Sequence, residues 1–496
     1  MTRNRRLVVP LSMLALLAAA LACVPNGTPT PGATPTGPLA EPPTLPLPVA
    51  TQTTAPTPTQ LSLPPEGPLS STGPWLVFAT YEEVYALNPD GSGLTQVLTG
   101  WSYENRLASG VAPRGGHFAY LTTPDGDHDI VLHILSIPGP EPPISIALTT
   151  PATEPGTPVE PGDPGYEEFW AAIQATWAIT DGFAWSPDGR SLAFMGAIEG
   201  PTSDLYLYSL EDGTTVRLSS GPSQAYNPVW SPDSRFIFHA GVESFGTGAG
   251  YSVDGAWVAR ADGSGIVAHP GLGLSGDVLV VGWTEDNRVI THGFSASCGW
   301  RSLAAMDVLA GTGEWLWRDF FASAALDPST GNLLLGVDWD SATYCNTDPR
   351  GGLFLIRSES DFDYLMDTEP LRVMWSPQAH LFFALTEDGL LAFTAEGQPM
   401  GLPFLGNASD LPVVSPDGQR LAFVGDGVWI ASLTDLAASP QLVAPGDEGS
   451  ITWTPDGQAI FFAASGALHR AQGPDFAPVP VATDLPVLSD LRWSLP

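Results

Sequence analysis

Few residues in this chain are spaced for chemistry, and each has a structural alternative. His239 and His292 stand at equivalent positions of two successive repeat units, where other units carry an aromatic such as Phe194 or Phe462. Two imidazoles so placed could share acid–base work or hold part of a metal site. The alternative, which the repeat position favours, is a pair of core residues satisfied by neighbouring backbone. Asp125, Asp127 and Asp129 alternate around Gly126 and His128 as carboxylates do in a calcium loop, but the Glu that closes an EF-hand is missing. A polar hairpin explains them as well, so no cofactor is expected; Asp361 and Asp363, flanking Phe362, say less still. A Gly-x-Ser-x-Gly elbow does not occur. Glycosidase carboxylates cannot be paired from spacing alone, because distances across repeats are not written in sequence.

Composition narrows the classes further. All 18 basic residues are Arg, against 53 acidic ones, for a formal charge of -35. Without Lys there is no Schiff base, no Ser-Lys dyad and no Walker phosphate loop. So acidic a surface repels nucleic-acid phosphates and anionic headgroups. Hydrophobic residues at 43% and aromatics at 10% are nevertheless those of a folded chain. Gly and Pro make up about a fifth of it, which requires many turns and few helices.

The first 22 residues read as an export signal: Arg3, Arg5 and Arg6, an apolar run from Leu7 to Ala22, then Cys23. Ala20-Leu21-Ala22-Cys23 resembles a bacterial lipobox, although Leu and the small residue stand in each other's usual places. The same Ala-x-Ala also suits ordinary signal peptidase. Residues 23–73 are Thr, Pro, Ala and Gly with hardly a charge, an extended tether that cannot build a core. A tether favours the lipobox, with Cys23 lipidated and the membrane reached through that anchor alone. Cys298 and Cys345 then remain as an even pair in an oxidising compartment, a candidate disulfide.

From residue 74 to 496 one unit recurs. Its clearest copy is Phe183-Ala184-Trp185-Ser186-Pro187-Asp188-Gly189-Arg190-Ser191-Leu192-Ala193-Phe194. An apolar strand ends in Trp, Ser-Pro-Asp-Gly makes a type I turn, and an alternating strand follows. Copies begin near Trp230, Trp283, Trp375, Val414 and Trp453; Val111-Ala112-Pro113 and Leu326-Asp327-Pro328 are worn ones. The last three intervals, 39, 39 and 40 residues, match one four-stranded propeller blade. The Trp-Ser-Pro-Asp-Gly turn, with Val84-Tyr85-Ala86-Leu87-Asn88-Pro89-Asp90-Gly91-Ser92-Gly93, resembles the TolB-type, WD-like β-propeller repeat. That resemblance implies an all-β propeller and protein docking across one face, and the count of units gives a single large ring of eight or nine four-stranded blades. Leu491-Arg492-Trp493-Ser494 starts a blade that the chain does not finish, so the C-terminal strand is expected to close the ring on Trp75-Leu76-Val77-Phe78. Ala305-x-Asp307-x-x-Ala310-Gly311-x-x-x-Trp315 resembles one copy of the docking motif of quinoprotein propellers, but it occurs once and with Ala310 where Thr is usual.

Extra length falls in the first five intervals, at 138–180, 241–255, 293–301 and 338–352. Antiparallel blades place second turns and inter-blade links on one rim, so these insertions should crowd one face, where binding usually lives. They carry Phe245, Tyr251, Phe294, Trp300, Asp338, Trp339, Asp340 and Tyr344, aromatics flanked by carboxylates that suit a peptide or a sugar. Residues 166–179 read as a helix with Phe169, Trp170, Ile173 and Trp177 at helical spacing, either packed on the ring or presented to a partner. The expected whole is an exported monomer at the cell surface that binds an envelope or extracellular protein. The rival expectation is a propeller hydrolase, lyase or lectin acting on glycans. Fatty-acid labelling in the source cells checks the anchor: the wild type should take up label and partition into detergent, and Cys23→Ala should do neither.

Overall fold

A computed structural model of the chain describes residues 67–100, 107–124, 129–139, 142–149, 162–180, 182–245, 251–268, 278–295, 299–339, 350–401, 408–446, 449–483 and 489–496. Cys23, Cys298 and Cys345, with every residue before 67, where a signal and a tether are expected, lie outside these residues. Among those described, nine antiparallel sheets follow one another, eight four-stranded and one three-stranded. They are the nine blades of a β-propeller.

Blade 1 is built from both ends of the described chain. Trp75–Ala79, Glu83–Leu87 and Thr95–Thr99 supply three strands, and Ser489–Ser494 supplies the inner one, pairing Leu76 with Trp493 and Val77 with Arg492. Both worn repeat copies are true blades. Leu326 ends the inner strand Ser323–Leu326 of the four-stranded blade 6. In blade 2 the inner strand shrinks to one bridge, Val111 to Phe118, beside His117–Thr122, Val131–Ser136 and Ile144–Ala147. What its turn lacks is made up from the other end of the chain: Leu495 N–H donates to Pro113 O, and Ser494 Oγ donates to Ala112 O.

A blade has no private core. Side chains alternate across a strand, so each blade offers one face to either neighbour. Trp75, Val77 and Ala79 pack with Phe118 and Tyr120 of blade 2, whereas Leu76 and Phe78 pack with Phe461 and Leu468 of blade 9. Leu333, Leu335 and Val337 likewise meet blade 5, and Leu334 meets Phe382 of blade 7.

The turn after each inner strand locks itself. Ser186 Oγ donates to Asp188 Oδ1 at 2.6 Å while accepting the N–H of Ser191 at 3.0 Å, and Asp188 Oδ1 accepts the N–H of Arg190. Ser231 with Asp233, Ser415 with Asp417 and Thr454 with Asp456 repeat it. Glycine is needed at Gly189, where φ is +73° and a Cβ would sit 2.4 Å from Arg114 O of the preceding blade. The Trp before the turn clips blades together: Trp185 Nε1 donates to Gly110 O, Trp230 to Ala184 O and Trp453 to Val413 O, each at 2.9 Å. No described helix is long and apolar enough to cross a bilayer.

Deleting residues 489–496 would leave Trp75–Ala79 as an open edge and take Leu491 and Trp493 from the core shared by blades 1 and 9. Scanning calorimetry should show a large drop in melting temperature, and light scattering should show self-association.

Candidate binding face

The second turns and inter-blade links differ sharply around the ring. In blades 7, 8 and 9 the second hairpin turns over two residues, Glu387-Asp388, Gly425-Asp426 and Ser465-Gly466. In blade 4 the same hairpin is drawn out into two ten-residue strands, Phe236–Phe245 and Tyr251–Arg260. Blade 5 extends Arg288–Ser295, Gly299–Asp307 and also its outer strand Thr312–Phe321. Blade 6 joins Leu333–Val337 to Gly352–Ser358 through a long excursion. All of this excess rises from one rim.

Backbone register brings four of the expected binding residues into two pairs. Phe245 stands opposite Tyr251 near the tip of blade 4, and Phe294 opposite Trp300 in blade 5, with Trp300 also paired to Phe321. Asp338 is half-buried and Trp339 is 48% exposed where blade 6 leaves its second strand. The Trp339 indole lies so close over Gly351 that a Cβ there would meet it at 2.4 Å. Asp340 and Tyr344 lie outside the described residues.

The segment 138–180 is not one insertion. Ile144–Ala147 is the outer strand of blade 2, paired with Val131–Ser136, so the excess is the link from Leu148 to Gly182. Alternating Ile144 and Ile146 among Pro and Thr disguised that strand. Within the link, Tyr166–Thr180 is helical, and the face it buries is not the large apolar stripe. Ala172, Ala175, Ala178 and Ile179 are buried, with Ala175 and Ile179 joining the core shared by blades 2 and 3. Small side chains let the helix sit close in the inter-blade groove. Trp170 and Trp177 stack edge to face, centroids 5.6 Å apart, on another side of the helix, and Trp177 is 40% exposed.

Polar groups fix the helix and the loops under it. Gln224, on the inner strand of blade 4, accepts the N–H of Ser203 and donates to Ala171 O of the helix. Beside it Asp204 is buried and lies 2.5 Å from Arg217 Nη2, and the Nη1 of the same guanidinium pairs with Glu199. Burial holds the Asp204 carboxyl above its usual range even against that guanidinium. No motif in the sequence marked this pair, because its partners come from the third and fourth strands of one blade.

The residues singled out for chemistry take separate places in the ring. His239 is stacked at 5.9 Å on Trp257 and His292 meets Phe321 edge-on at 5.9 Å, so each occupies its blade as the aromatic of other units does. Burial lowers both to about 4, keeping them neutral. Asp125 and Asp127 lie outside the described residues, and Asp129 lies at the second turn of blade 2. Among the described residues no three His, Cys, Asp or Glu side chains are grouped to hold a metal. Asp307 Oδ1 accepts the N–H groups of Leu309 and Ala310, a turn cap local to blade 5. Asp361 and Asp363 are both paired to Arg357.

No family model matches the chain. An uncharacterized peptidase, YuxL, of Bacillus subtilis is 40% identical over 70 residues, 14% of this chain and 10% of the peptidase. Dipeptidyl-peptidase 5 of Porphyromonas gingivalis is 29% identical over 133 residues, 25% of this chain and 19% of that protein. The chain thus spans a fifth or less of the length of these two relatives. Among solved structures, a eukaryotic initiation factor superposes with a TM-score of 0.52 at 10% identity, over 85% of this chain and 98% of that one. A putative TolB of Agrobacterium tumefaciens gives a TM-score of 0.30 at 20% identity, over 53% of this chain and 83% of that one. The superposition on the initiation factor carries the fold and no activity.

Both histidines have folded values below the unfolded 6.5, so their penalty is absent above that pH and grows as pH falls towards 4. The full loss is roughly 3 kcal/mol for each buried ring. Urea unfolding between pH 7 and 4 should therefore lose less stability in His239→Phe/His292→Phe than in wild type.

Proposed function

We propose that this propeller is a non-catalytic binding or scaffolding platform, carried at the outer face of the cell envelope on a lipidated Cys23 and gripping a protein partner. The supporting observation is the asymmetry of one rim. Blades 4, 5 and 6 lengthen their second hairpins and a helix fills the link between blades 2 and 3, whereas blades 7, 8 and 9 keep two-residue turns. A rigid ring with elaborated loops on one side presents a broad surface at little entropic cost. The exposed indoles of Trp177 and Trp339 are the kind of residue on which protein interfaces concentrate their energy.

A second reading is supported by the local likeness to two proteins named as peptidases: the ring would then be an enzyme, or the substrate-facing part of one, acting on peptides or glycans. Both readings meet in one experiment. Residues 74–496 are used to capture partners from a solubilised envelope fraction, beside Trp177→Ala/Trp339→Ala. A protein retained by wild type and lost by the variant, with the two melting temperatures within a few degrees, is the expected outcome. Cleavage of added peptides or oligosaccharides by the purified chain would put the second reading in its place.

A further inference from the structure

The chain enters the ring at a defined point and on a defined rim. Trp75–Ala79 is the second strand of blade 1, so it begins where the other blades come out of their first turn, on the rim opposite the enlarged hairpins. The residues just before it are docked there against the third turn of the same blade. Ser70 N–H donates to Asn88 Oδ1 at 2.8 Å, Asn88 Nδ2 donates to Pro68 O at 3.0 Å, and Trp75 Nε1 donates to Ser70 O at 2.8 Å. Leu69 packs on the core shared by blades 1 and 2, and a Cβ at Gly93 would meet the Leu69 backbone at 2.7 Å. Blade 9 braces this turn, because Arg470 Nε donates to Pro89 O at 2.8 Å. Whatever precedes Gly67 therefore joins the ring on this rim.

The strand that receives it is held on both sides. Leu76, Val77, Phe78 and Ala79 pair with Leu87, Ala86, Tyr85 and Val84, and on the other side the same strand pairs with Ser489–Ser494. With the first strand innermost, as Phe183–Trp185 is in blade 3, it would have one ladder alone. Antiparallel hydrogen bonds lie perpendicular to their strands. A pull on the chain ahead of Gly67, opposed at the far rim, runs along Trp75–Ala79 and across those bonds, so both ladders are strained at once. A pull across the sheet would open the same bonds one after another. Side chains add to the grip: Val77 is fully buried in the core with blade 2, and Leu76 and Phe78 in the core with blade 9. Sliding the strand exposes these apolar groups on both faces.

We propose that the protein works under tension, as a load-bearing coupling between the chain that enters on one rim and a partner held on the other. Trp75–Ala79 is the element that carries the load, in shear between two ladders. The inference rests on the platform reading for its two points of attachment.

Single-molecule force spectroscopy on the chain from residue 23 onward tests it. One handle is a ligation tag between residues 246 and 250, in the blade 4 hairpin. The other is placed either ahead of residue 23 or after Pro496. Load on a handle after Pro496 runs through Ser489–Ser494, which in its sheet pairs with Trp75–Ala79 alone. The bonds of Ser494 and Leu495 to Ala112 and Pro113 add to that resistance. The N-terminal handle should therefore need roughly 1.5 times the rupture force of the C-terminal one, at equal loading rate. Asn88→Ala should remove a short first release, that of residues 67–72, and leave the main rupture unchanged. An N-terminal force equal to or below the C-terminal one, or a main rupture that falls in Asn88→Ala, would overturn the proposal. Capture of an envelope protein by a chain whose N-terminal handle yields first would sink this inference alone. A strong grip without capture would sink the platform reading and leave the clamp standing.

Discussion

Apolar alternation is the constraint on which the rest of the molecule depends. A blade such as Trp75–Ala79 with its partners buries Val77 on one side and Leu76 with Phe78 on the other, and both sides need a neighbour. A series of similar units with two apolar faces each can cover every face by closing into a ring, where an open stack would need capped ends. The turn of Ser186, Asp188 and Gly189 and the clip from Trp185 to Gly110 then fix the spacing between units. Their bonds satisfy the backbone groups that the end of an inner strand would otherwise leave bare.

Most of the fold was legible because its determinants are local. Ser186 to Ser191 is a complete hydrogen-bonded device within six residues, and its copies can be found by eye even when Thr284 or Thr454 replaces Ser. The worn copies at Pro113 and Pro328 show how far the pattern can fade. Leu326 still closes a regular strand, whereas blade 2 borrows Ser494 and Leu495 to complete its turn. The histidines were legible for the same reason, since alignment with Phe194 and Phe462 put them inside a blade. Cys298 and Cys345 remain a pair expected from sequence alone.

What sequence could not supply were contacts made across blades or against a groove. Helical spacing found Tyr166–Thr180 but favoured its largest apolar residues as the buried face. Groove shape decided otherwise, seating Ala172, Ala175 and Ala178 and leaving Trp170 and Trp177 as a ridge. The contact of Trp317 with Phe362 joins two strands of different blades, and no periodicity relates them. The enlarged hairpins were placed on the right rim by topology, but their aromatic pairs, Phe245 with Tyr251 and Phe294 with Trp300, needed the register.

Closure through Ser489–Ser494 also sets a timetable. Gly116 donates to Ser494 across 378 residues of chain, and blade 1 has no inner strand until those last residues exist. The entropy of so long a loop rises only logarithmically, so the finished ring loses little stability by it. The rate is another matter, because the pairing that completes blade 1 comes from furthest away along the chain. Until then Trp75–Ala79 has no inner partner and the core shared by blades 1 and 9 lacks Leu491 and Trp493, so the growing chain carries an open strand edge of the kind that pairs with other chains.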